Sequence, residues 1–543
     1  MLSAGGTLWK ADRCGIEWQV VNQDLRFNPG LLTFIPTPQG RRLIAFSGNL
    51  PHYSDDDGMS WTPATGIQNS GDVRFGNPVA VQENGQHTFY VLSKPDYWSN
   101  ISLYKSSDQG QSFENIQTFN THDFNRYALC NPHHSDALFL LEKQEDGSAQ
   151  IFQIATDSDE LILIFDEVEL DLGEARADLI AWASDTETRF YTYSRVFSDT
   201  WENFEMQVFH STDLSQDWEL KGKLPTNPWS VGMYVLPSNP DILFYGEVNC
   251  YRSTDGGDSW DLVNEWWAYY GNECCQLHAD MMDFNEFETA DGTHFQLISH
   301  HGGLTYTEDY LQNQNNISLY GLNVSQYYSV RTDPLNPDFV YAGSQDQGFQ
   351  RSDEFGDLEV ATFDQVISGD YGHIVFSNNG QSLWTVYPGG WVTYYENPQI
   401  QGITASFEVM SEEESVWSPP LKASPVEGEN VIYMAGGSVN EGPGSFIIRL
   451  EAQGETVIPS EIPFNFKEES GGGEVSAIEI SKLNTSRWYA ATTNGRVFYS
   501  ENAGENWEQS LNFIPSGHYL YGQTIYASRL NEEVAYLGGS GYS

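Results

Sequence analysis

Basic residues are scarce in this chain. Lysine and arginine number 25 among 543 residues, against 76 aspartates and glutamates, for a formal charge of -51. Such a balance argues against nucleic acid as a partner, since no basic surface exists to release counterions from phosphates. It argues equally against anionic membrane surfaces. Cysteine is sparse too. The five (Cys14, Cys130, Cys250, Cys274 and Cys275) are odd in number and fit no zinc or redox spacing. Adjacent cysteines rarely bridge each other, so all five are expected to be buried or incidental thiols, and they leave the compartment unread. No apolar run reaches the roughly 18 residues of a membrane-spanning helix, so no membrane insertion is expected. Met1 to Thr7 shows neither a basic nor an apolar signal region. Helical periodicity is almost absent.

Aromatic residues, by contrast, are plentiful. They make up 14% of the chain, whereas disordered acidic chains are poor in them. The chain can therefore bury a core. Its acid excess keeps it soluble and offers oxygen ligands to Ca²⁺ or another divalent metal, although no cofactor is certain from the sequence.

One octapeptide recurs: Ser, any, Asp, any, Gly, any, Ser or Thr, aromatic. Clean copies run Ser54 to Trp61, Ser106 to Phe113 and Ser253 to Trp260. Ser500 to Trp507 has Asn502 in the Asp place, and worn copies start at Ala11, Ser211 and Ser352. Most gaps are near multiples of about fifty residues, the spacing of propeller blades. Period-2 apolar runs bounded by Asn, Pro and Gly, such as Asp338 to Gly343, read as short strands. Further strands are expected near Ala137 to Gln153, Phe295 to Tyr306, Leu383 to Tyr395 and Val431 to Leu450, giving roughly eleven units. In the octapeptide, Asp accepts backbone N–H bonds, Gly supplies a positive φ, and the hydroxyl ties the hairpin. The aromatic packs between sheets. Asp56, Asp108 and Asp255, with Ser54, Gly58, Trp61, Ser106, Gly110, Phe113, Ser253, Gly257, Trp260, Ser500, Gly504 and Trp507, are thus read as hairpin-forming and not catalytic.

These octapeptides resemble Asp-boxes, and the chain resembles sortilin-type and BNR-repeat β-propeller proteins, including large secreted bacterial ones. The most specific stretch is Leu277 to Ser352. Relatives of the bacterial type would carry His-x-Asp-x-His, then Asn-Asp-Gly-Gly, then Gly-Thr-Gln-Asp-Asn-Gly. Here His278 and Asp280 match the first element while Met282 replaces its second His; His300 and His301 replace the Asn-Asp pair; Gln345 and Asp346 match the third. Xyloglucan-active glycoside hydrolases, which also use tandem Asp-box propellers, are a more distant likeness. Sialidases share the box but need an arginine triad for a carboxylate, and no such motif is recognisable.

The expected fold is all-β: four-stranded blades with Asp-box hairpins, in two tandem propellers over 1–325 and 326–543, with one ten-bladed ring as the rival. Both ends read as cut within repeats, so a lost signal peptide and a secreted or cell-surface location are expected. His278, Asp280, His300 and His301 are candidate metal ligands, with Asp346, Asp370 and His373 nearby in the blade order. Trp266, Trp267, Tyr269 and Trp391, with Tyr394 and Tyr395, are candidates for stacking on sugars, against the alternative of inter-blade core. Glycoside hydrolysis needs two carboxyls flanking a bond, and Asp346 with Asp370 is the pair singled out. Sequons at Asn100, Asn316, Asn323 and Asn484 matter only in a eukaryotic secretory context. The function expected is a binding scaffold for glycan or protein ligands. The alternative is a glycoside hydrolase acting on a polysaccharide.

Overall fold

A computed structural model describes residues 2–541, apart from 5–6, 12–16, 23–30, 38–39, 47–49, 69–73, 77, 84–85, 134, 174, 198–203, 215–217, 227–231, 320, 323, 353–361, 410–414, 441 and 512–519. The centres of the worn octapeptides at Ala11, Ser211 and Ser352, and Cys14, lie outside the described residues. The chain is a β-propeller protein built of antiparallel sheets, with one short α-helix, Phe466–Ser470, among the described residues. No described helix is long and apolar enough to cross a membrane. The chain divides into two compact units, Met1–Val324 and Ser325–Ser543.

Among the described residues of the first unit seven sheets follow one another, each pairing its strands in chain order or nearly so. A representative is the fourth: Tyr127–Cys130, Leu138–Lys143, Ser148–Ala155 and Glu160–Asp171. Its Ala149, Ile151 and Ile154 are buried while the residues between them are less so. Ala149 and Ile151 lie on the face turned to the next sheet and Ile154, of opposite parity, on the face turned to the preceding one, so both faces of the strand are covered. The seventh sheet is Met281–Glu288, His294–His300, Gly303–Thr307 and Asn315–Asn316. Apolar clusters bridge consecutive sheets: Phe139 packs with Phe190, Tyr193 with Tyr245, and Phe244 with Phe284. One further cluster joins Trp9 and Trp18 of the first sheet to Leu304 and Ile317 of the seventh. Trp18 Nε1 also donates to the Ile317 carbonyl at 3.0 Å. First and last sheets of this unit thus cover each other's apolar faces, as neighbouring blades of a propeller do.

Among its described residues the second unit has four four-stranded sheets and one two-stranded sheet, Leu520–Ala527 with Ala535–Gly541. Its first sheet is Tyr327–Thr332, Val340–Ser344, Gly348–Ser352 and Phe363–Ile367. The next is Ile374–Ser377, Ser382–Tyr387, Trp391–Tyr395 and Ala405–Phe407. Strands expected near Leu383 to Tyr395 and Val431 to Leu450 fall in consecutive sheets that share the core of Trp384, Tyr394, Ile432 and Ile448.

The octapeptide is the turn between the last two strands of its sheet. Asp56 accepts from the Ser54 hydroxyl and from both the amide and hydroxyl of Ser60, at 2.5–2.8 Å. Asp108 and Asp255 repeat this with Ser106 and Ser112, and with Ser253 and Ser259. Asn502 does the same with Ser500 and the Asn506 amide. Trp61, Trp260 and Trp507 donate Nε1 to the carbonyls of Gly58, Gly257 and Gly504. Glycine is required twice over at Gly110: its φ is +83°, and a Cβ there would lie 2.5 Å from Ile44 Cδ1 of the preceding sheet.

Candidate functional site

Two groups of functional side chains gather at sheet ends, one in each unit.

In the first unit the group surrounds the turn His300 to Gly303 of the seventh sheet. His300 is buried. Its Nε2 pairs with Thr305 Oγ1 at 2.9 Å and its Nδ1 accepts from the Gly302 amide at 3.1 Å. Burial, then the neighbouring His278 and His301, lowers its pKa to about 3, so the ring stays neutral. His278 is buried as well, with Nε2 at 3.0 Å from the Tyr270 hydroxyl and Nδ1 at 3.2 Å from the Ala279 carbonyl. Both nitrogens of both rings are therefore engaged within the protein. Asp280, in a left-handed turn conformation at φ +62°, meets His301 Nδ1 through Oδ2 at 3.0 Å. This pair offers a divalent cation one oxygen and one imidazole nitrogen, two of the four or more ligands that Zn²⁺ or Ca²⁺ takes. Tyr269 is buried, edge-on to His278, and donates to the Gly302 carbonyl at 3.1 Å. Trp266 and Trp267 stand exposed on the same loop, Trp267 at 60%.

Cys274 and Cys275 are joined by a disulfide, contrary to the expectation of incidental thiols. Adjacency in sequence disfavours the bond in general, and no spacing rule could have shown it here. Cys130 and Cys250 are buried thiols. The sequon residue Asn316 is also buried, its Nδ2 donating to the Gly302 carbonyl, so it is packing rather than a surface acceptor.

In the second unit the group lies at one end of the first two sheets. Asp346 sits in the turn between Val340–Ser344 and Gly348–Ser352, at φ +59°. Asp370 sits in the connection between these two sheets, and the connection is fastened to the turn. Gly369 donates to the Asp346 carbonyl at 3.1 Å, and Tyr371 donates to Ser344 at 3.1 Å. The Asp346 amide donates to Asp370 Oδ1 at 3.0 Å. The Tyr328 hydroxyl reaches the same oxygen at a long 3.5 Å. Burial, followed by the charges of Asp370 and Asp346, holds the phenols of both Tyr328 and Tyr387 above their ordinary pKa. Trp417 lies edge-on to Tyr328 with ring centroids 5.2 Å apart and is 54% exposed. Its carbonyl accepts from Gly389 at 3.2 Å, which ties its loop to the turn of the second sheet. Trp391 is half-buried among Tyr371 and Tyr387. Tyr394 and Tyr395 are core, and His373 is mostly enclosed, with burial lowering its pKa to about 4.

Solved structures with similar architecture include the GH74 enzyme of Niastella koreensis, at 15% identity and a TM-score of 0.30, covering 88% of this chain and 68% of that one. Another is YCF48 of Cyanidioschyzon merolae, at 12% identity and a TM-score of 0.28, covering 58% of this chain and 94% of that one. Both are β-propeller proteins. No family model and no curated protein matches the sequence.

The sequence reading singled out Asp346 and Asp370 but not Tyr328, Tyr387 or Trp417, which carry no motif. It also passed over a further hairpin at Thr307 to Gln314. There Asp309 accepts from Thr307 Oγ1, the Asn313 amide and the Asn313 side chain. The legible signal was a hydroxyl followed two residues later by Asp.

Proposed function

We propose that the chain is a carbohydrate-binding scaffold of the Asp-box, BNR-repeat type, secreted or displayed at a cell surface, with its ligand face in the second unit. The observation that carries this reading is the Asp370 carboxylate held by the Asp346 amide beside exposed Trp417 and Tyr328. A sugar ring presents apolar C–H faces and hydroxyl edges. Exposed indole and phenol rings take the faces, and ionised carboxylates accept from the hydroxyls. The acid excess of the chain suits a neutral glycan rather than a polyanionic one.

One observation favours a second reading, a glycoside hydrolase: two carboxyl residues, Asp346 and Asp370, meet across one hydrogen bond. Hydrolysis requires a carboxylic acid and a carboxylate on either side of the scissile bond. Titration calorimetry with plant, algal and bacterial oligosaccharides, run beside a reducing-end assay, separates the two. Binding without new reducing ends, abolished in Trp417→Ala, is expected. New reducing ends that vanish in Asp370→Asn would replace the scaffold by the hydrolase.

A further inference from the structure

The disulfide between Cys274 and Cys275 does little for the stability of the fold. A cross-link stabilises chiefly by closing a loop in the unfolded chain, and adjacent residues enclose almost none. Both residues are nevertheless exposed, so an attacking thiolate can reach either sulfur. Cys130 and Cys250 differ: both are buried, and burial raises their thiol pKa far above the ordinary value. The cysteine chemistry open at the surface among the described residues is therefore concentrated at one point.

That point lies at the less anchored end of a loop whose other end is moored by Trp266 N on Asn249 Oδ1, the Tyr269 hydroxyl on the Gly302 carbonyl and the Tyr270 hydroxyl on His278. On its N-terminal side is the turn Trp266–Tyr269, whose two tryptophans are exposed. Between turn and disulfide the loop is held by short-range bonds: Asn272 N to Tyr269 O at 2.9 Å, Cys275 N to Asn272 O at 3.0 Å, and Gly271 N to Glu273 Oε1 at 2.8 Å. A Cβ on Gly271 would meet nothing within 4 Å. Beyond residue 270 the tie to the seventh sheet comes at the disulfide, where the Cys274 carbonyl accepts from the amide of buried Asn316 at 2.8 Å. The small ring formed by the two cysteines limits the torsions around that carbonyl, and so fixes the anchor of the loop on the seventh sheet.

We propose that Cys274–Cys275 is a reversible redox site for dithiol reductants, whose state sets how firmly the Trp266–Trp267 loop is held. One thiolate of the reductant attacks a cysteine sulfur, breaks the S–S bond and forms a mixed disulfide. The second thiol of the reductant then displaces the cysteine and closes as a cyclic disulfide. Two electrons and two protons pass to the chain, which ends with two thiols. Segments with few contacts open locally at little cost, so releasing the ring loosens residues 271–276 and, through them, one mooring of the turn that carries Trp266 and Trp267.

The test uses the full chain, treated with dithiothreitol at graded concentrations and then alkylated. Without reductant, the peptide carrying both cysteines is expected to be unmodified. With reductant, it gains two alkyl groups together while Cys130 and Cys250 stay unmodified in the folded protein. Hydrogen exchange across 271–276 should rise on the order of tenfold, as expected when a weakly held segment loses an anchor, while exchange in the neighbouring strands stays unchanged. The Cys274→Ser/Cys275→Ser double variant should exchange like the reduced protein under all conditions. Two results would overturn the proposal: alkylation of both cysteines before any reductant in air-oxidised protein, or identical loop exchange in oxidised, reduced and double-variant chains.

Discussion

Asp255 accepts from the Ser253 hydroxyl and from both donors of Ser259. Replacing it by alanine leaves those donors to water or to nothing, and should cost about 1–3 kcal/mol, the range for hydrogen bonds to a charged group. Asp255→Asn should cost less, because Asn502 already fills this place in another hairpin. Urea unfolding of both variants checks the order. The same carboxylates tie stability to pH. Burial pushes Asp56, Asp108 and Asp255 upward, but the serine hydroxyl and amide bonds outweigh it and hold each below its ordinary value. A depressed carboxylate contributes stability above its unfolded pKa, near 4, and loses it as pH falls through the folded value. A triple Asp→Asn variant should show a shallower loss of stability below about pH 4 than the wild type. These hairpins were legible in the sequence because the chemistry is local: Asp, Gly and Ser within seven residues close the turn without help. The hairpin at Thr307 keeps only the hydroxyl and the Asp two residues later as a local sign, because Leu311 stands in the glycine place at φ +64° and Asn313 in the serine place. Leu311 is held there by burial in the core between two sheets, a long-range cause with no local sign.

Strand pairing was legible at the level of elements, and side-chain convergence was not. Alternating apolar runs disclose strands, and a repeated turn shows that sheets recur. Which loops meet depends on how successive sheets stack. Asp346 and Asp370 come together through the Gln347–Gly369 bridge, and Trp417 joins them from a third loop. His300 belongs to this scale too. It is a candidate metal ligand by the expected convergence of consecutive blade elements at one propeller face, and its two ring nitrogens close the turn of its own sheet. Its lowered pKa, about 3, keeps the ring neutral in the folded chain, whereas the unfolded ring protonates near pH 6.5. The stability it contributes is complete above that value and declines as pH falls from about 6.5 toward 3. His300→Gln, which can still accept and donate, should flatten unfolding free energy between about pH 6.5 and 4. An unchanged slope would show that the ring does not carry it. Between elements, Trp18→Ala removes both the Ile317 hydrogen bond and the packing that joins first and seventh sheets. A loss of about 3–5 kcal/mol is expected for a large buried aromatic. Hydrogen exchange should rise in those two sheets first.

Across the whole molecule the formal charge of -51 sets the terms. Self-repulsion of that size opposes compactness, and salt screens it. Melting temperature should therefore rise between about 10 mM and 0.5 M sodium chloride, the Debye length falling from roughly 30 Å to a few Å. The same field opposes polyanions, and the proposed function therefore predicts neutral glycans as the ligands. The most direct test of that claim is affinity electrophoresis of the full chain through gels containing single plant, algal or bacterial polysaccharides. The account predicts retardation by at least one neutral polymer, weakened at least about tenfold in Trp417→Ala and in Asp370→Asn, as loss of roughly 1.4 kcal/mol or more would require. Equal retardation of wild type and both variants, or none by any neutral polymer, would contradict it.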